Sequence, residues 1–431
     1  MHIHTDRALV PAHVPSIRYL HVVVTAPPAP APPPGTEAAV RPPAAAALVL
    51  DRSGSMAGSK IAMARAAVQH AVRLLSPTDA LAVVCYDDRV DTVLARTPAG
   101  AEAKRLALTR LAEIDARGST DLAGGWRRGA DELREEDAAD PAAGVRRVLL
   151  LTDGLANHGE TNPDALAATA AELRAQGITT STFGVGADFD ERLLARLAAE
   201  GGGHFYFIEH PQQIPDLLAS ELGETLEVVA RDVVFEIAAG PGVDLGLLND
   251  RSTASAPGVL RVPLGDLVVN QEVALVVAVG VRQAPAAGDA VSVQCRVADR
   301  DQRLPALPLE VAWTAAEAAA NQAQPVNAQV LLEVARLLAG QAKAMALAAN
   351  RRGEFDEARR ILHDMAATLR RLAPGQAEVA ALADGLEGET EYFQSVMSPL
   401  DMKRRHYAEY ALAESRLPEG KARRGGAARR I

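Results

Sequence analysis

Three oxygen-bearing side chains lie at alternate positions of one short turn. Asp51, Ser53 and Ser55 form an Asp-x-Ser-x-Ser pattern, in which a carboxylate and two hydroxyls lie two residues apart. In an extended turn these side chains can converge on one point, and Gly54 relieves the crowding between them. Carboxylate and hydroxyl oxygens are hard ligands that suit a hard metal ion. We therefore interpret the turn as a candidate metal site.

Two later segments carry oxygen ligands that could complete this site. Thr120 lies in a loop before a predicted helix, and Asp153 follows the apolar run at residues 148–151. The Asp51 turn likewise follows an apolar run, at residues 47–50. Such runs are typical of buried strands, and the carboxyl ends of parallel strands open on one edge of a doubly wound sheet. We expect Asp51, Thr120 and Asp153 to meet at that edge, although the turn alone also fits an N-capped helix.

Together the three segments resemble the metal-ion-dependent adhesion site of von Willebrand factor A domains. The resemblance rests on residues 51–56, Ser119-Thr120-Asp121 and Thr152-Asp153-Gly154, in that order and spacing, and it covers about residues 44–223. It implies a doubly wound, Rossmann-like α/β domain in a multidomain protein of bacterial type. The implied metal ligands are Asp51, Ser53, Ser55, Thr120 and Asp153.

The resemblance also implies how the metal would act. Ser53 and Ser55 would bind the ion through their hydroxyls, whereas the other three ligands would act directly or through water. Mg²⁺ fits these donors best because it prefers octahedral oxygen coordination and keeps several waters, with Mn²⁺ or Ca²⁺ as alternatives. One coordination position would remain for an Asp or Glu side chain of a partner protein. Chelation of the metal would remove that bond.

Catalysis is the weaker interpretation of this turn. A phosphoryl-transfer site with Asp51 as nucleophile would need an acid-base carboxylate two residues later, where the sequence has Ser53. The sequence also has no Gly-rich phosphate loop of the Walker type. We therefore predict that the protein is not an enzyme and keep a metal-dependent hydrolase as a minor alternative.

The elements that position these residues alternate between strand and helix from residue 44 to residue 223. This alternation predicts a parallel sheet with helices on both faces. Apolar residues at three- and four-residue spacing predict a helix over residues 59–75, and residues 90–94 are the expected antiparallel edge strand. Further strands are predicted at residues 80–86, 148–153, 179–185 and 204–208, and further helices at residues 102–114, 122–133, 164–176, 191–199 and 212–222.

Outside this domain the pattern changes to short strands without helices. Turn residues separate the strands between residues 226 and 313, which is typical of a β-sandwich. Residues 16–26 also have the β-branched richness of a strand, and we assign them to the same sandwich. The A domain would then be an insertion in the sandwich. The predicted divisions are 1–26 for the amino-terminal strand, 27–43 for a Pro- and Ala-rich linker, 44–223 for the A domain and 224–320 for the sandwich.

The carboxy-terminal part is predicted to be helical over residues 326–415. Residues 353–358 resemble the turn of a tetratricopeptide unit, but an independent array needs about three units. We therefore expect a helical hairpin packed on the rest of the chain. Residues 416–431 are basic and Gly-rich, which predicts a disordered tail. The predicted apolar face of the first helix consists of Val330, Leu331, Val334, Leu337 and Leu338.

Composition narrows the function classes. The 431 residues carry a net charge of −10, which argues against general nucleic-acid binding because phosphate binding needs a basic surface. Cys85 and Cys295 lie in apolar, strand-like runs and are predicted to be buried thiols. So few cysteines favour a reducing compartment, and no apolar stretch is long enough to span a bilayer. The sequence therefore predicts a cytoplasmic protein with no transmembrane segment.

Two non-enzymatic functions follow from these predictions. The first is a metal-dependent scaffold whose ion binds an acidic side chain of a partner protein. The alternative, which the resemblance implies, is an adaptor for a MoxR-type AAA+ ATPase that docks on the carboxy-terminal helices. Three weaker hypotheses concern other residues. These are a transition-metal clasp by His2 and His4 in a flexible end, a second ion at Asp87 and Asp88, and ligand contacts by Asn157 and His158.

Overall fold

The computed structural model describes residues 1–29, 43–134, 144–304 and 307–425. The chain forms two compact units. The composite unit consists of residues 1–27, 232–264 and 270–431, and the inserted unit consists of residues 28–231 and 265–269. Along the sequence, the inserted unit therefore interrupts the composite unit. Most of the predicted linker, residues 30–42, lies outside the described residues.

Strands and helices are numbered in chain order. The strands are β1 His2–Thr5, β2 Leu9–Pro11, β3 Ser16–Thr25, β4 Ala44–Asp51, β5 Ala80–Tyr86, β6 Val90–Pro98, β7 Val145–Thr152, β8 Ile178–Val185, β9 Gly202–Ile208, β10 Val228–Ala239, β11 Val243–Leu247, β12 Ala254–Ala256, β13 Val259–Val268, β14 Glu272–Val281, β15 Ala290–Ala298 and β16 Leu309–Ala316. The helices are α1 Ser59–Leu74, α2 Ala101–Ala112, α3 Leu122–Asp131, α4 Pro163–Ala175, α5 Glu191–Glu200, α6 Ile214–Leu226, α7 Ala318–Ala323, α8 Ala328–Arg351, α9 Phe355–Leu372, α10 Ala377–Glu389 and α11 Pro399–Ala413.

The inserted unit is built on a six-stranded sheet in the order β6-β5-β4-β7-β8-β9. All neighbours are parallel except β6, which pairs antiparallel with β5 at the edge. Every residue of β4 and β7 is buried, as expected for parallel strands covered on both faces. The order of the strands reverses at β4, because β5 follows on one side and β7 on the other. The predicted doubly wound α/β fold is therefore confirmed, including its antiparallel edge strand.

Helices pack on the sheet through small and branched apolar residues. On α1, Ile61, Ala64, Val68 and Val72 are buried in the core, as their spacing predicted. Helix α3 contacts β4 and β5 closely through a glycine. A Cβ atom at Gly129 would lie 2.3 Å from Val49 Cγ2, so any larger residue would push the helix off the sheet. This close approach fixes how near α3 lies to β4, and the loop that carries Thr120 leads directly into this helix.

The composite unit contains two further sheets. One has the order β1-β3-β14-β11 and the other the order β12-β13-β10-β15-β16-β2. Strand β3 pairs antiparallel with β14 along ten residues, so the amino-terminal strand joins strands from beyond the insertion, as predicted. Strands β1 and β2 were not predicted. The first pairs with β3, and the second runs parallel to β16. The sequence suggested that His2 and His4 lie in a flexible end, and this is wrong because both residues lie in β1.

The carboxy-terminal helices pack on one another and on β3. Helix α8 contacts α9, α10, α11 and β3. Of the predicted apolar face, Val330 and Val334 are fully buried beside Val276 of β14. Helix α9 follows a turn in which Gly353 adopts a φ of +76°, a conformation that favours glycine. The predicted helical hairpin is therefore present and is packed against a sheet.

The prediction of a disordered tail is wrong for residues 416–425. The Arg416 side chain is buried, and its Nε donates to the carbonyl of Gly420 at 2.6 Å. The backbone N–H of Glu272 donates to the carbonyl of Arg423, and that of Gly425 donates to the carbonyl of Asn270. Backbone pairing beside β14 therefore orders a segment whose composition alone favours disorder. The rest of the predicted tail, residues 426–431, lies outside the described residues.

Cys85 and Cys295 are buried free thiols, as predicted. Among the helices of the described ranges, none combines the length and apolar character needed to cross a membrane.

Candidate metal-binding site

Asp51 lies at the carboxyl end of β4, where the strand order reverses. Its side chain is fully buried. Oδ1 accepts a hydrogen bond from the Ser53 backbone N–H at 2.8 Å, and Oδ2 accepts one from the Thr152 hydroxyl at 2.6 Å. Burial, with a smaller contribution from the negative charge of Asp153, raises the pKa of the Asp51 carboxyl to about 6 against the effect of these hydrogen bonds. A cation at this edge would stabilise the charged form of Asp51.

The two serines connect the β4 edge to the end of β7. Ser53 Oγ lies 3.1 Å from Ser55 Oγ, and the Ser55 hydroxyl donates to Asp153 Oδ1 at 2.6 Å. Residues 54–56 form a 3₁₀ turn that brings Ser55 back toward the sheet. The Gly54 N–H donates to the carbonyl of Gly118 at 3.1 Å, which ties this turn to the loop before α3. Three of the predicted ligands thus form one continuous chain of oxygen atoms.

Thr120 reaches the same place from the loop before α3. A Cβ atom placed on Gly154 would lie 3.4 Å from Thr120 Oγ1 and 3.6 Å from Ser55 Oγ. The hydroxyls of Thr120 and Ser55 therefore border the same small space, which remains open because residue 154 has no side chain. All five predicted ligands lie around this edge.

Asn157 and His158 hold Thr120 in place. The Thr120 N–H donates to Asn157 Oδ1 at 3.0 Å. In return, the backbone N–H groups of Asn157 and His158 donate to the Thr120 carbonyl at 3.3 and 3.2 Å. Both side chains lie at the exposed rim. Asn157 thus positions a predicted ligand, a role that the sequence did not indicate.

The chemistry of these donors fits a divalent cation. Two carboxylates and three hydroxyls are oxygen ligands of the kind that Mg²⁺, Mn²⁺ and Ca²⁺ prefer. They come from three segments that are held together by hydrogen bonds, and a glycine leaves room beside the hydroxyls. The site therefore has the donor set and the space that a resident ion of this class needs.

Lys60, which was not among the predicted ligands, contacts one carboxylate of this site. Its ammonium donates to Asp153 Oδ2. The Lys60 side chain is 24% exposed, whereas the Asp153 side chain is fully buried. The sequence contained one indication of this contact. A lysine in the first turn of a helix opposes the helix dipole, so a nearby negative charge is expected to stabilise it.

The contacts of Asp87 argue against the second ion predicted at Asp87 and Asp88. Its buried carboxylate accepts from Arg52 Nε at 3.0 Å and from Arg117 Nε at 2.6 Å, so two guanidinium groups supply the balancing charge. The Asp87 carbonyl also accepts from the Asp121 N–H at 2.8 Å, next to Thr120. Asp87 therefore helps to hold the turn after β4 and the loop before α3 in position.

A second cluster of potential metal ligands lies in the inserted unit, at His204, Glu221 and Glu224. Glu221 Oε1 accepts from Arg147 Nη1 at 2.8 Å and from the Ser181 hydroxyl at 2.5 Å, while Oε2 accepts from the Tyr206 hydroxyl at 2.5 Å. The buried Arg147 guanidinium supplies the positive charge that an ion would otherwise bring. We therefore interpret this cluster as a structural network, and we call it the Arg147 network.

Comparison with known sequences finds a family whose profile covers the segments of this site. A sequence profile of the von Willebrand factor type A domain matches residues 47–220. The uncharacterized protein YfbK of Escherichia coli (strain K12) is 29% identical over 197 residues, which is 45% of this chain and 33% of YfbK. Inter-alpha-trypsin inhibitor heavy chain H4 of Homo sapiens is 30% identical over 158 residues, or 36% of this chain and 17% of that protein. The chain thus spans a third or less of the length of these curated relatives.

Solved structures share the fold over most of the chain. The von Willebrand factor type A protein from Catenulispora acidiphila superposes with a TM-score of 0.65 at 18% identity, covering 90% of this chain and 96% of that one. The ArnB paralog VWA2 from Sulfolobus acidocaldarius gives a TM-score of 0.59 at 15% identity, covering 96% of this chain and 98% of that one. At these identities the likeness concerns the fold, and it extends over both units of the chain.

Proposed function

Residues 47–220 of this chain form a von Willebrand factor type A domain, and on this premise we propose that the protein is a metal-dependent protein-binding scaffold. In this proposal a divalent cation, Mg²⁺ or alternatively Mn²⁺ or Ca²⁺, binds at the edge formed by β4, β7 and the loop before α3. The bound ion coordinates an Asp or Glu side chain of a partner protein. The observation that carries the proposal is the chain of oxygen atoms from Ser53 through Ser55 to Asp153.

Each ligand has a distinct part in this proposal. Ser53 and Ser55 hold the ion through neutral hydroxyls, and Thr120 borders the same space. Asp51 and Asp153 supply negative charge from buried positions. Because most of these donors are neutral, the ion keeps enough positive charge to attract a carboxylate from outside. The Thr152 hydroxyl donates to Asp51, and Asn157 Oδ1 accepts from the Thr120 N–H, so both predicted ligands stay in position when no partner is bound.

The surroundings of Asp51 support binding and not catalysis. Its oxygens accept from the Ser53 N–H and the Thr152 hydroxyl, so the carboxylate is held by hydrogen bonds on both sides. A nucleophilic carboxylate would need an acid-base partner, and the side chain two residues later is the hydroxyl of Ser53. We therefore propose that the protein is not an enzyme.

A pull-down from cell lysate tests the proposed function. The bait proteins are the wild type, Asp51→Ala and the control Asp115→Ala, which removes a carboxylate that is 91% exposed in the same unit. Each bait is used in Mg²⁺ and in chelator. We expect a partner that the wild type and Asp115→Ala retain in Mg²⁺ alone and that Asp51→Ala loses. A set of partners that is indifferent to both the metal and Asp51 would contradict the proposal.

The alternative function, an adaptor of a MoxR-type AAA+ ATPase, stays a prediction, as does the cytoplasmic location. The same pull-down tests the alternative, because an ATPase retained by all three baits in chelator would favour docking away from the metal site.

A further inference from the structure

Lys60 carries a positive charge directly beside the proposed metal site. Its ammonium bonds Asp153 Oδ2, while Asp153 Oδ1 accepts from the Ser55 hydroxyl. The same ammonium lies beside the loop after β8, because a Cβ atom on Gly186 would be 3.8 Å from Lys60 Nζ. The aliphatic stem is partly buried, yet the side chain keeps 24% of its surface exposed. Lys60 therefore lies between the buried carboxylate and the solvent from which a metal and a partner would come.

Two opposite effects follow from this position. A unit positive charge within a few ångströms of a cation site opposes metal binding, and in the free protein Lys60 also occupies one oxygen of Asp153. Once an ion is bound, the same charge adds to the positive potential at the site and attracts an anion. Because Lys60 is partly exposed, solvent screens both effects but does not cancel them.

We propose that Lys60 affects two affinities of the proposed metal site in opposite directions. It weakens the binding of the metal and strengthens the binding of a partner carboxylate. This inference rests on the proposed function, because it assigns a role to a residue beside the same site. In the free protein Lys60 neutralises Asp153. When the metal displaces it from that carboxylate, its ammonium becomes available to a second oxygen of the incoming Asp or Glu side chain.

The test uses the full chain as the wild type, Lys60→Gln and Lys104→Gln. Lys104 is the matched control, because its ammonium donates to backbone carbonyls at the end of α1 and contacts neither Asp51 nor Asp153. The metal probe is Mn²⁺, whose free concentration is measured by electron paramagnetic resonance. The carboxylate probe is a capped Gly-Asp-Gly tripeptide, and the capped Gly-Asn-Gly tripeptide is its neutral counterpart. Binding of either peptide to the Mn²⁺-loaded protein is measured by paramagnetic broadening of its proton resonances.

Lys60→Gln should change the two affinities in opposite directions. We expect it to bind Mn²⁺ about tenfold more tightly and the Asp peptide about tenfold more weakly than the wild type, as one unit charge at a partly exposed site predicts. Lys104→Gln should match the wild type, and the Asn peptide should bind weakly to all three proteins. Opposite shifts would also exclude a merely misfolded variant, because misfolding weakens both affinities together.

Other outcomes separate this inference from the proposed function. If the wild type binds Mn²⁺ and the Asp peptide, and Lys60→Gln binds both equally well, Lys60 has no role and the inference fails alone. If Mn²⁺ binding is the same in the wild type and in Asp51→Ala, the proposed site is wrong and the inference fails with it. A Lys60→Gln protein that binds Mn²⁺ more weakly would also overturn the inference, because the lysine would then support the metal site.

Discussion

The Asp51 carboxylate is completely buried, although a metal site needs it in its charged form. Its two hydrogen bonds, from the Ser53 N–H and the Thr152 hydroxyl, favour the ionised form. Burial works in the opposite direction and prevails, because the pKa rises from an ordinary 3.8 to about 6. A raised pKa means that the folded chain disfavours the charged form of this group. The fold therefore gives up some stability in the absence of a cation in order to keep a carboxylate at this edge.

Asp51→Asn should consequently have opposite effects with and without metal. In chelator at pH 8, removing the buried charge should raise the thermal unfolding midpoint by a few degrees, on the order of 1 kcal/mol. In Mg²⁺, the wild type should gain stability from the bound ion and Asp51→Asn should not. The measurement is thermal unfolding followed by circular dichroism, with Asp115→Asn as the exposed control. A variant that loses stability in chelator would show that the hydrogen bonds of Asp51 outweigh the cost of its charge.

The residues proposed as metal ligands could be identified in the sequence because their pattern is local. Asp51, Ser53 and Ser55 follow a strand, and the end of a parallel strand must lie at one edge of the sheet. The partners that hold them were less accessible. Lys60 contacts Asp153, 93 positions later, and the Thr152 hydroxyl contacts Asp51, 101 positions earlier. The Thr152–Asp51 pair depends on the register between β4 and β7, and the Lys60–Asp153 pair depends on where α1 lies relative to that sheet. Residue spacing along the chain encodes neither.

At the scale of elements, α3 positions the site through close packing. The helix begins at Leu122, after Asp121 caps it by accepting from the Gly124 N–H at 2.9 Å. Because Gly129 has no side chain, the helix lies directly against Val49 of β4. A shift of α3 away from the sheet would carry the Thr120 loop with it. The absence of a side chain at Gly129 therefore contributes to the geometry of the proposed metal site.

Gly129→Ala should destabilise the inserted unit and weaken metal binding together. The added methyl would overlap Val49, and such overpacking costs about 1–3 kcal/mol. Gly223→Ala is the matched control, because it lies in α6 and its Cβ atom would meet no atom within 4 Å. Without a clash, that change should stabilise the helix by about 0.5–1 kcal/mol. Urea unfolding and Mn²⁺ binding measure both variants, and equal stability of the two would contradict the packing argument.

Long strands and amphipathic helices were predictable, whereas short elements were not. The buried strands β4 and β7 each have eight residues, and their apolar runs stand out in the sequence. Strands β1 and β2 have four and three residues, too few to show a pattern. The second exists because it pairs with β16, about 300 positions later. The same holds for residues 416–425, whose order comes from pairing with the start of β14 and not from their own composition.

At the scale of the whole molecule, the chain leaves the inserted unit through α6. This helix ends at Leu226, four residues beyond the predicted end, and β10 begins at Val228. Only Glu227 separates them, and β10 continues into the composite unit from residue 232. A displacement of α6 along its axis would therefore act on β10 through the backbone. We hypothesise that occupancy of the proposed metal site is communicated to the strands beyond the insertion through this helix, which requires such a displacement.

The Arg147 network opposes that displacement. Glu221 of α6 bonds Arg147 on β7, Ser181 on β8 and Tyr206 on β9, all within the core of the inserted unit. Arg147 Nη2 also donates to Asp266 at 3.1 Å. Leaving a buried charge without its partner costs about 3–5 kcal/mol, so α6 has to move together with its partners or be held in place. The network thus sets how much free energy a ligand must supply to shift the helix.

Hydrogen exchange, followed by mass spectrometry, can detect communication through α6. If the hypothesis is correct, Mg²⁺ with the capped Gly-Asp-Gly tripeptide should change exchange in α6 and in β10, and the Asn peptide should not. Glu221→Gln, which weakens the hold on α6, should increase the change in β10 while Mn²⁺ affinity stays within about twofold, because Glu221 is no ligand of the proposed site. Glu172→Gln, on the exposed face of α4, is the control for loss of a carboxylate. If ligand-dependent exchange is confined to the residues around Asp51, Thr120 and Asp153, the metal site acts locally and α6 serves only as a connection.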